Sequence, residues 1–412
     1  NYGIIDVPVL RGYTPPAPTA WPMFYLVIPG VLNVAETVMG TQMFGSRTQY
    51  NDVTNSNDAF FAEGTYVISD KTDITVGMRR TEDDRRFTRG QYLYVGNNAQ
   101  GPFDPTNNCP GNIDPATMMA KSETCTQEVD YSETTSRVIL SHQNSENLMT
   151  YYSYSKGYSS GGFNQGIDMK PYLPEVSDNY EVGFKSTLRD GTMRLNGTYF
   201  YNNYENQQIT VGRVIDGQPT ADIINAKEAQ IEGIELELLA QLSDGLALTV
   251  TYGLMDGKYK NFTVDDYLYD PTTFVTTISQ RDLSDTPFGY SGDNGKSYTF
   301  DIALIHTQSL SSGANVVSQI GLTKRDNSWG TLRHTPGSEM PGYNLVDGRI
   351  AFNLADGVTT ITLWGTNLTD KEYRSGMLWQ GGDPEIGDPS LGMAADYWGQ
   401  PRRFGIEWRR DF

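Results

Sequence analysis

The chain has 412 residues, a formal charge of −19 and only 20% charged residues, with 42 Gly, 26 Tyr and 16 Phe. Its longest apolar stretch, Met23 to Ile28, is far too short for a membrane helix, and the acidic balance argues against nucleic acid as a partner. The negative mean hydropathy of −0.47 does not exclude a membrane β-barrel, whose polar lumen-facing half dilutes its lipid-facing half.

The chain begins at Asn1 rather than Met. No signal peptide is visible, and truncation is expected in preference to processing. Residues 1–57 read as an extracellular loop region, with a candidate short strand at Trp21 to Ile28. From residue 58 onward alternating segments recur at about 58–68, 72–87, 130–142, 147–157, 177–188, 192–204, 223–241, 245–261, 296–309, 314–327, 343–354, 358–373 and 396–412. This rhythm predicts about thirteen strands, most of them ten residues or longer. Transmembrane strands need about 9–11 residues, against about 5–6 in ordinary globular sheets.

Each segment has one greasy and one polar face. Met193, Leu195, Gly197, Tyr199 and Tyr201 alternate with Arg194, Asn196, Thr198 and Asn202. Leu246, Leu248, Val250, Tyr252 and Leu254 alternate with Ala247, Thr249, Thr251 and Gly253. Such a face is core in a soluble sandwich and lipid-facing in a barrel, so the pattern alone leaves both open. The connections decide between them. Ser69-Asp70-Lys71, Gln143 to Glu146, Arg189-Asp190-Gly191, Ser243-Asp244-Gly245, Ser311-Ser312-Gly313 and Asp356-Gly357 are tight. They alternate strictly with long stretches at 88–129, 158–176, 205–222, 262–295, 328–342 and 374–395. Asp-Gly and Ser-Gly pairs supply the positive φ of hairpin turns. Outer-membrane barrels have short periplasmic turns and long extracellular loops; sandwiches show no such bias.

The last segment supports the same reading. Phe404, Ile406, Trp408 and Phe412 fall on one face, interrupted by Arg410. The final strand of such a barrel carries an aromatic at the membrane interface. Arg410 and His306 extend the apolar faces of their strands close to tight turns, where a charge costs about 0–1 kcal/mol instead of the about 2–4 kcal/mol of the bilayer midplane. The fold expected is all-β, an antiparallel transmembrane β-barrel. Cys109 and Cys125, the two cysteines, lie in one Asn-, Pro-, Gly- and Asp-rich loop and are expected to form a disulfide in an oxidising compartment. No metal site is expected there, because His142, His306 and His334 are all distant in sequence.

Six groups of residues carry a family likeness. They are Ala59-Phe60-Phe61-Ala62-Glu63-Gly64-Thr65-Tyr66 with Asp73 to Arg79; Tyr154 to Asn164; and Pro174-Glu175 leading into Asn179 to Lys185. Asn225-Ala226 with Ile231-Glu232-Gly233-Ile234-Glu235, then Asn367-Leu368-Thr369-Asp370-Lys371-Glu372-Tyr373, and Pro401-Arg402-Arg403-Phe404-Gly405 complete the set. In this order, from about residue 56 to 412, the chain resembles the TonB-dependent outer-membrane receptors. The resemblance implies a 22-stranded barrel with an N-terminal plug, of which 58–412 would be the C-terminal thirteen strands, the plug and coupling box being absent. It implies uptake of a scarce ligand, most plausibly a ferric siderophore or similar iron chelate, with cobalamin or carbohydrate uptake and a passive pore as alternatives. It further implies a bacterial outer-membrane location and contact with outer-membrane lipid, the barrel-assembly machinery and the TonB complex, the last through the missing N-terminal region. A part-wall has two open edges that lipid cannot satisfy. These 412 residues alone are therefore not expected to insert as a closed barrel, which protease-resistant, heat-modifiable folding in detergent would disprove.

No enzyme activity and no cofactor are expected. Gly157-Tyr158-Ser159-Ser160-Gly161 has the spacing of a hydrolase elbow but lacks a following helix and partners. Gly295-Lys296-Ser297 resembles the end of a phosphate loop, but a strand follows it. Asp383, Glu385 and Asp388 read as a solvated loop face. In the family, ligand binds at the outer loops, and large aromatics suit such contacts. Tyr158, Phe163, Trp329, His334 and Trp379 are the candidates, with Tyr267 and Phe274 behind them. Lys185 and Arg194 are expected in the lumen, pairing with neighbours such as Glu181.

Overall fold

The computed structural model describes residues 5–6, 45–95, 98–102, 124–164, 170–215, 218–270, 275–289, 291–292, 295–380 and 393–411. Trp21 to Ile28, Cys109, Phe274, Asp383, Glu385, Asp388 and Phe412 lie outside these residues, as do the side chains of Tyr267 and Trp379.

Thirteen long strands form one antiparallel sheet in strict chain order. They are β1 (Gly45–Ser69), β2 (Thr72–Val95), β3 (Thr124–Ser145), β4 (Leu148–Ser159), β5 (Glu175–Leu188), β6 (Met193–Ile215) and β7 (Gln218–Ser243). Next come β8 (Leu246–Asn261), β9 (Lys296–Ser309), β10 (Asn315–Arg325), β11 (Tyr343–Asn353), β12 (Thr359–Thr366) and β13 (Arg403–Arg410). Two short strands, Ile5–Asp6 and Asn98–Pro102, add to β1 and β2. Among the described residues the sheet is open: β13 pairs with β12 and not with β1.

The ladder explains why the alternation reads so clearly. One row runs Tyr66, Ile74, Leu140, Tyr152, Val182, Tyr199, Ile234, Leu254 and Tyr298, each directly opposite the next, across β1 to β9. On the other face Lys185, Asn196, Glu237, Thr251, Asp301 and Thr323 make an equally continuous polar row across β5 to β10. A one-residue slip anywhere would exchange these faces. The apolar face is not covered by protein: Phe404 is 78% exposed, and Ile406, Trp408, Phe60 and Tyr152 are exposed as well. A soluble sandwich would bury this face, so its solvent has to be lipid.

The tight turns reuse one device. In two of them a register shift near the end lets a glutamine side chain close the hairpin: Gln143 Nε2 donates to the Ser145 carbonyl at 2.5 Å, and Gln241 Nε2 to the Ser243 carbonyl at 2.6 Å. At Asp356-Gly357, where Gly357 has φ +73°, the Asp356 carboxylate accepts from the Val358 and Thr359 amides and the Thr359 hydroxyl. These bonds, that of the Thr359 hydroxyl foremost, hold the Asp356 carboxyl below its usual range. A depressed carboxylate stabilises the fold above its unfolded pKa of about 4 and stops doing so as pH falls through the lower folded value. Protection of the Val358 and Thr359 amides from exchange, relative to the unstructured chain at the same pH, is therefore expected to fall below about pH 4, and Asp356→Asn to abolish that pH dependence. Equal acid sensitivity in the variant would contradict this. His306 and Arg410 sit opposite Leu246 and Thr359, next to such turns, as their sequence position implied.

Several expected boundaries are corrected. β1 begins at Gly45, inside the stretch read as loop. Residues 205–222 are not a long loop, because β6 and β7 stay paired out to Ile215 opposite Gln218. Strand 358–373 stops at Thr366, since Asn367 and Asp370 adopt φ +48° and +53°, outside the β region. Segment 396–412 is split: Met393–Trp398 pairs with Arg374–Gln380, and the sheet resumes only at Arg403. The other long connections also carry paired strands, at Thr263–Asp270 with Val275–Asp282 and at Ser328–Trp329 with Glu339–Met340.

Candidate functional site

Two places can meet a ligand: the polar face within the sheet's curve, and the packed segments at its long-loop end. The polar face holds a concavity of about 490 Å³ between β8 and β12, lined by Thr251, Asp301, Gln319, Asp347, Arg349 and Trp364 among others. Its acids are held in place. Thr323 Oγ1 donates to Asp301 at 2.6 Å, Arg325 reaches the same carboxylate at 3.4 Å, and the Asn367 amide donates to Asp347 at 2.7 Å. The surface is hydrophilic, carries both signs of charge and holds no nucleophile–base pair, so it suits passage or docking of polar matter. Lys185 and Arg194 share this face by register. Glu181 accepts a 2.6 Å bond from Asn179, a partner other than the expected cation.

At the long-loop end the structure has its dry cores, and there are two among the described residues. The larger joins Ile209, Ala226, Ala229, Tyr259, Phe262, Val264 and Leu283, with Phe288 and Leu332 packed against it. Phe262 and Phe288 are packed onto the extension of β8 by Tyr259, whose ring lies 4.7 Å from Phe262 and 4.8 Å from Phe288. Upon this platform sits His334, whose Nε2 meets the Phe288 carbonyl at 3.1 Å. The Trp329 ring stacks on His334 at 4.8 Å and 6°. His334 stands at φ +52°, so its seat is set by backbone as well as by packing.

The second core is built around β2. Phe87 and Cys125, each 1% exposed, meet Phe163, and the Phe87 and Phe163 rings stack at 5.8 Å. Beside them Asp83 is 2% exposed. It accepts from Asn57 at 2.9 Å, Arg85 at 2.8 Å and Tyr158 at 2.9 Å. Burial, above all, raises the Tyr158 phenol pKa, and the bond to Asp83 adds to the rise, so the phenol stays a donor. Tyr158 reaches Asp83 because β4 leaves β3 after Ser155, the last residue paired between them. Asn164 closes the segment onto β7 by exchanging two bonds with Ile223, at 2.6 and 2.8 Å.

The structure thus divides the candidates. Trp329 and His334 form one pair, Tyr158 and Phe163 belong to a separate buried network, and Trp379 lies on the strand Arg374–Gln380. Pattern reading missed Asp83 and Arg85. The only local trace was the run Glu82-Asp83-Asp84-Arg85-Arg86, in which nothing shows which carboxylate is buried. The two decoys resolve into packing. Gly161 lies against the Tyr131 ring, where a Cβ would come within 2.6 Å. Gly295, at φ +83°, opens β9 and not a helix.

A continuous antiparallel wall with an exposed apolar outer band, a polar inner face and all its packed loops at one end is an outer-membrane β-barrel wall. Residues 13–368 match the family described as TonB dependent receptor-like, beta-barrel, and the chain belongs to that family, whose members are outer-membrane receptors and transporters and not enzymes. It is similar to the ferric-pyoverdine M114 receptor PbuA of Pseudomonas sp. (strain M114), 26% identical over 270 residues, 65% of this chain and 28% of that protein. It is also similar to the metal-pseudopaline receptor CntO of Pseudomonas aeruginosa, 24% identical over 255 residues, 61% of this chain and 31% of that one. The solved structure of the ferric yersiniabactin uptake receptor FyuA from Yersinia pestis shares the fold, with a TM-score of 0.63 at 18% identity, covering 90% of this chain and 47% of FyuA. The chain spans less than a third of the two curated relatives and about half of FyuA.

Proposed function

We propose that this chain is the barrel part of an energised importer that takes a ferric siderophore or similar metal chelate across the outer membrane. The observation that carries the reading is the pairing of a polar, charge-lined inner face with rigid aromatic structure at one end only. A passive pore needs the former and not the latter. The names of the relatives, which speak of ferric and metal chelates, support the ligand class. Energy would come from the TonB complex, engaged through a region N-terminal to the barrel. Residues 58–412 would supply barrel wall and the stretch before them an outer loop, with β1 descending out of it from Gly45.

Trp329 and His334 are the residues we assign to ligand contact, because their flat stack sits on a preformed platform and needs no reordering to receive a ligand. Tyr158 and Phe163 are assigned to loop support. Cys125 is not a free thiol, which supports pairing with Cys109; one thiol-blocking mass measurement without reductant would refute it by labelling either cysteine.

The test is uptake of radioiron chelates by iron-starved cells carrying the intact receptor. Uptake is expected to need the proton gradient, and Trp329→Ala to weaken chelate binding about thirtyfold, the loss that about 2 kcal/mol at an aromatic hot spot gives. Gradient-independent flux would identify a passive pore instead. Unchanged growth under iron limitation after deletion would remove iron chelates as the cargo.

A further inference from the structure

Toward the long-loop end the outward face of β8, β9 and β10 changes character, on β8 and β9 at the level of Lys296 and on β10 four residues lower. The apolar positions end at Leu254, Tyr298 and Leu322, and beyond them stand Lys258 and Lys260, Lys296, and Lys324. Four of the chain's eleven lysines therefore gather on three adjacent strands. The same level on β5 to β7 carries Tyr180, Tyr201 and Glu232 instead. The register brings the lysines together: Lys296 lies opposite Asp256, two residues from Lys258, and Lys324 lies opposite Phe300. Lys324 Nζ leans over the Tyr298 ring at 5.1 Å.

These ammonium groups are weakly held by protein. Lys258 meets Asp256 at 3.9 Å and Lys260 meets Asp285 at 3.7 Å, both at the limit of an ion pair and both partly exposed. Pairs of that kind contribute little. Lys296 is exposed and makes no ion pair among the described residues. Long cationic side chains at a membrane boundary extend toward the headgroup layer, and lysines near an anionic lipid surface each add to binding.

We propose that this stripe is a binding site for the phosphate-bearing headgroup of an outer-leaflet lipid. Lys258, Lys296 and Lys324 would line the headgroup and meet its phosphates, and the apolar positions of β8 and β9 below them would receive the acyl chains. The site is open and stands directly on the lipid-facing band. It offers no enclosed cradle for a small free anion, and a lipid is therefore the occupant. The assignment rests on the outer-membrane location and not on the nature of the imported ligand.

The test uses the intact receptor in neutral phosphatidylcholine nanodiscs doped with lipid A, with lipid A in the presence of inorganic phosphate, or with dephosphorylated lipid A. Native mass spectrometry reads the bound lipid. Lipid A is expected to be retained, dephosphorylated lipid A to be lost, and inorganic phosphate not to compete. Each Lys→Gln change should weaken retention roughly fivefold, and the triple variant at Lys258, Lys296 and Lys324 roughly a hundredfold. Lys71→Gln, at the tight-turn end, should change nothing, and heat-modifiable migration should show every variant folded. Equal retention by the triple variant, equal retention of the dephosphorylated lipid, or displacement by inorganic phosphate would each overturn the assignment.

Discussion

Asn367→Ala is expected to destabilise the sheet by about 4–5.5 kcal/mol. Asn367 is 4% exposed. Its Oδ1 accepts from the Lys371 amide at 2.8 Å, and its Nδ2 donates to the carbonyls of Lys371 at 2.9 Å and Gln400 at 3.1 Å. Removing the amide leaves three backbone groups without partners, at about 1–1.5 kcal/mol each. It also puts alanine at φ +48°, which adds about 1 kcal/mol. Two controls separate the causes. Asn367→Gly should recover the backbone part only, and Asn367→Asp should keep the accepted bond while losing both donated ones. Urea unfolding of the receptor in detergent, read by loss of heat-modifiable migration, gives the order. Alanine no worse than glycine would show that the left-handed backbone contributes nothing.

Asp83→Ala is expected to cost a similar amount, about 3–5 kcal/mol, confined to the long-loop end. The mutation strands the Arg85 guanidinium, 17% exposed beside a 2% exposed carboxylate, and frees the hydroxyl of Tyr158 and the amide of Asn57. A buried pair is costly to break even where it was of modest net value to form. Because Tyr158 is the tie between β4 and β2, its release should loosen residues 158–164, and limited proteolysis should cut there while the tight turns stay resistant. Tyr158→Phe removes one bond of three and should cost about 1 kcal/mol. Proteolysis that spreads evenly over the chain would show that the network supports the whole wall and not one end.

The strands were legible because lipid and lumen impose a period of two on every one of them, and the thirteen expected strands all appear. What failed was the top edge. Residues 205–222 contain Asn, Gln, Gly, Asp and Pro, which read as loop. Above the membrane, though, a strand is no longer half-buried, so its alternation fades while its hydrogen bonds continue. The break at Asn367 was hidden for the opposite reason. Leu368 continues the apolar look of the strand, yet it turns back to cover Gly365 and Gly348, with its Cδ atoms 2.6 and 3.3 Å from where their Cβ atoms would be. The likeness in Asn367 to Tyr373 and in Pro401 to Arg403 was visible, but not its cause. Asp370 accepts from both the amide and the guanidinium of Arg402, at 3.0 and 3.4 Å, so the two motifs are halves of one joint. Among the ligand candidates, residue type found aromatics but could not separate a seated stack from a buried support, which depends on partners up to 75 residues away.

The long pairing of β6 and β7, interrupted where Asn206 takes φ +54°, sets how the cell-surface end can move. From Tyr201, at the edge of the apolar band, to Ile215 the two strands rise together for roughly 45 Å of ladder at about 3.3 Å per residue. A loop of that length could flop over an entrance on its own. A ladder cannot, because each step of bending must break inter-strand bonds, and with its base fixed in the wall it swings as a stiff mast. Tyr204 and Ile209 on this mast pack into the larger core with Tyr259 and Phe288, and the Trp329–His334 stack rests on Phe288 through the His334 contact to its carbonyl. Any tilt of this mast therefore carries the aromatic platform of Tyr259, Phe288, His334 and Trp329 with it.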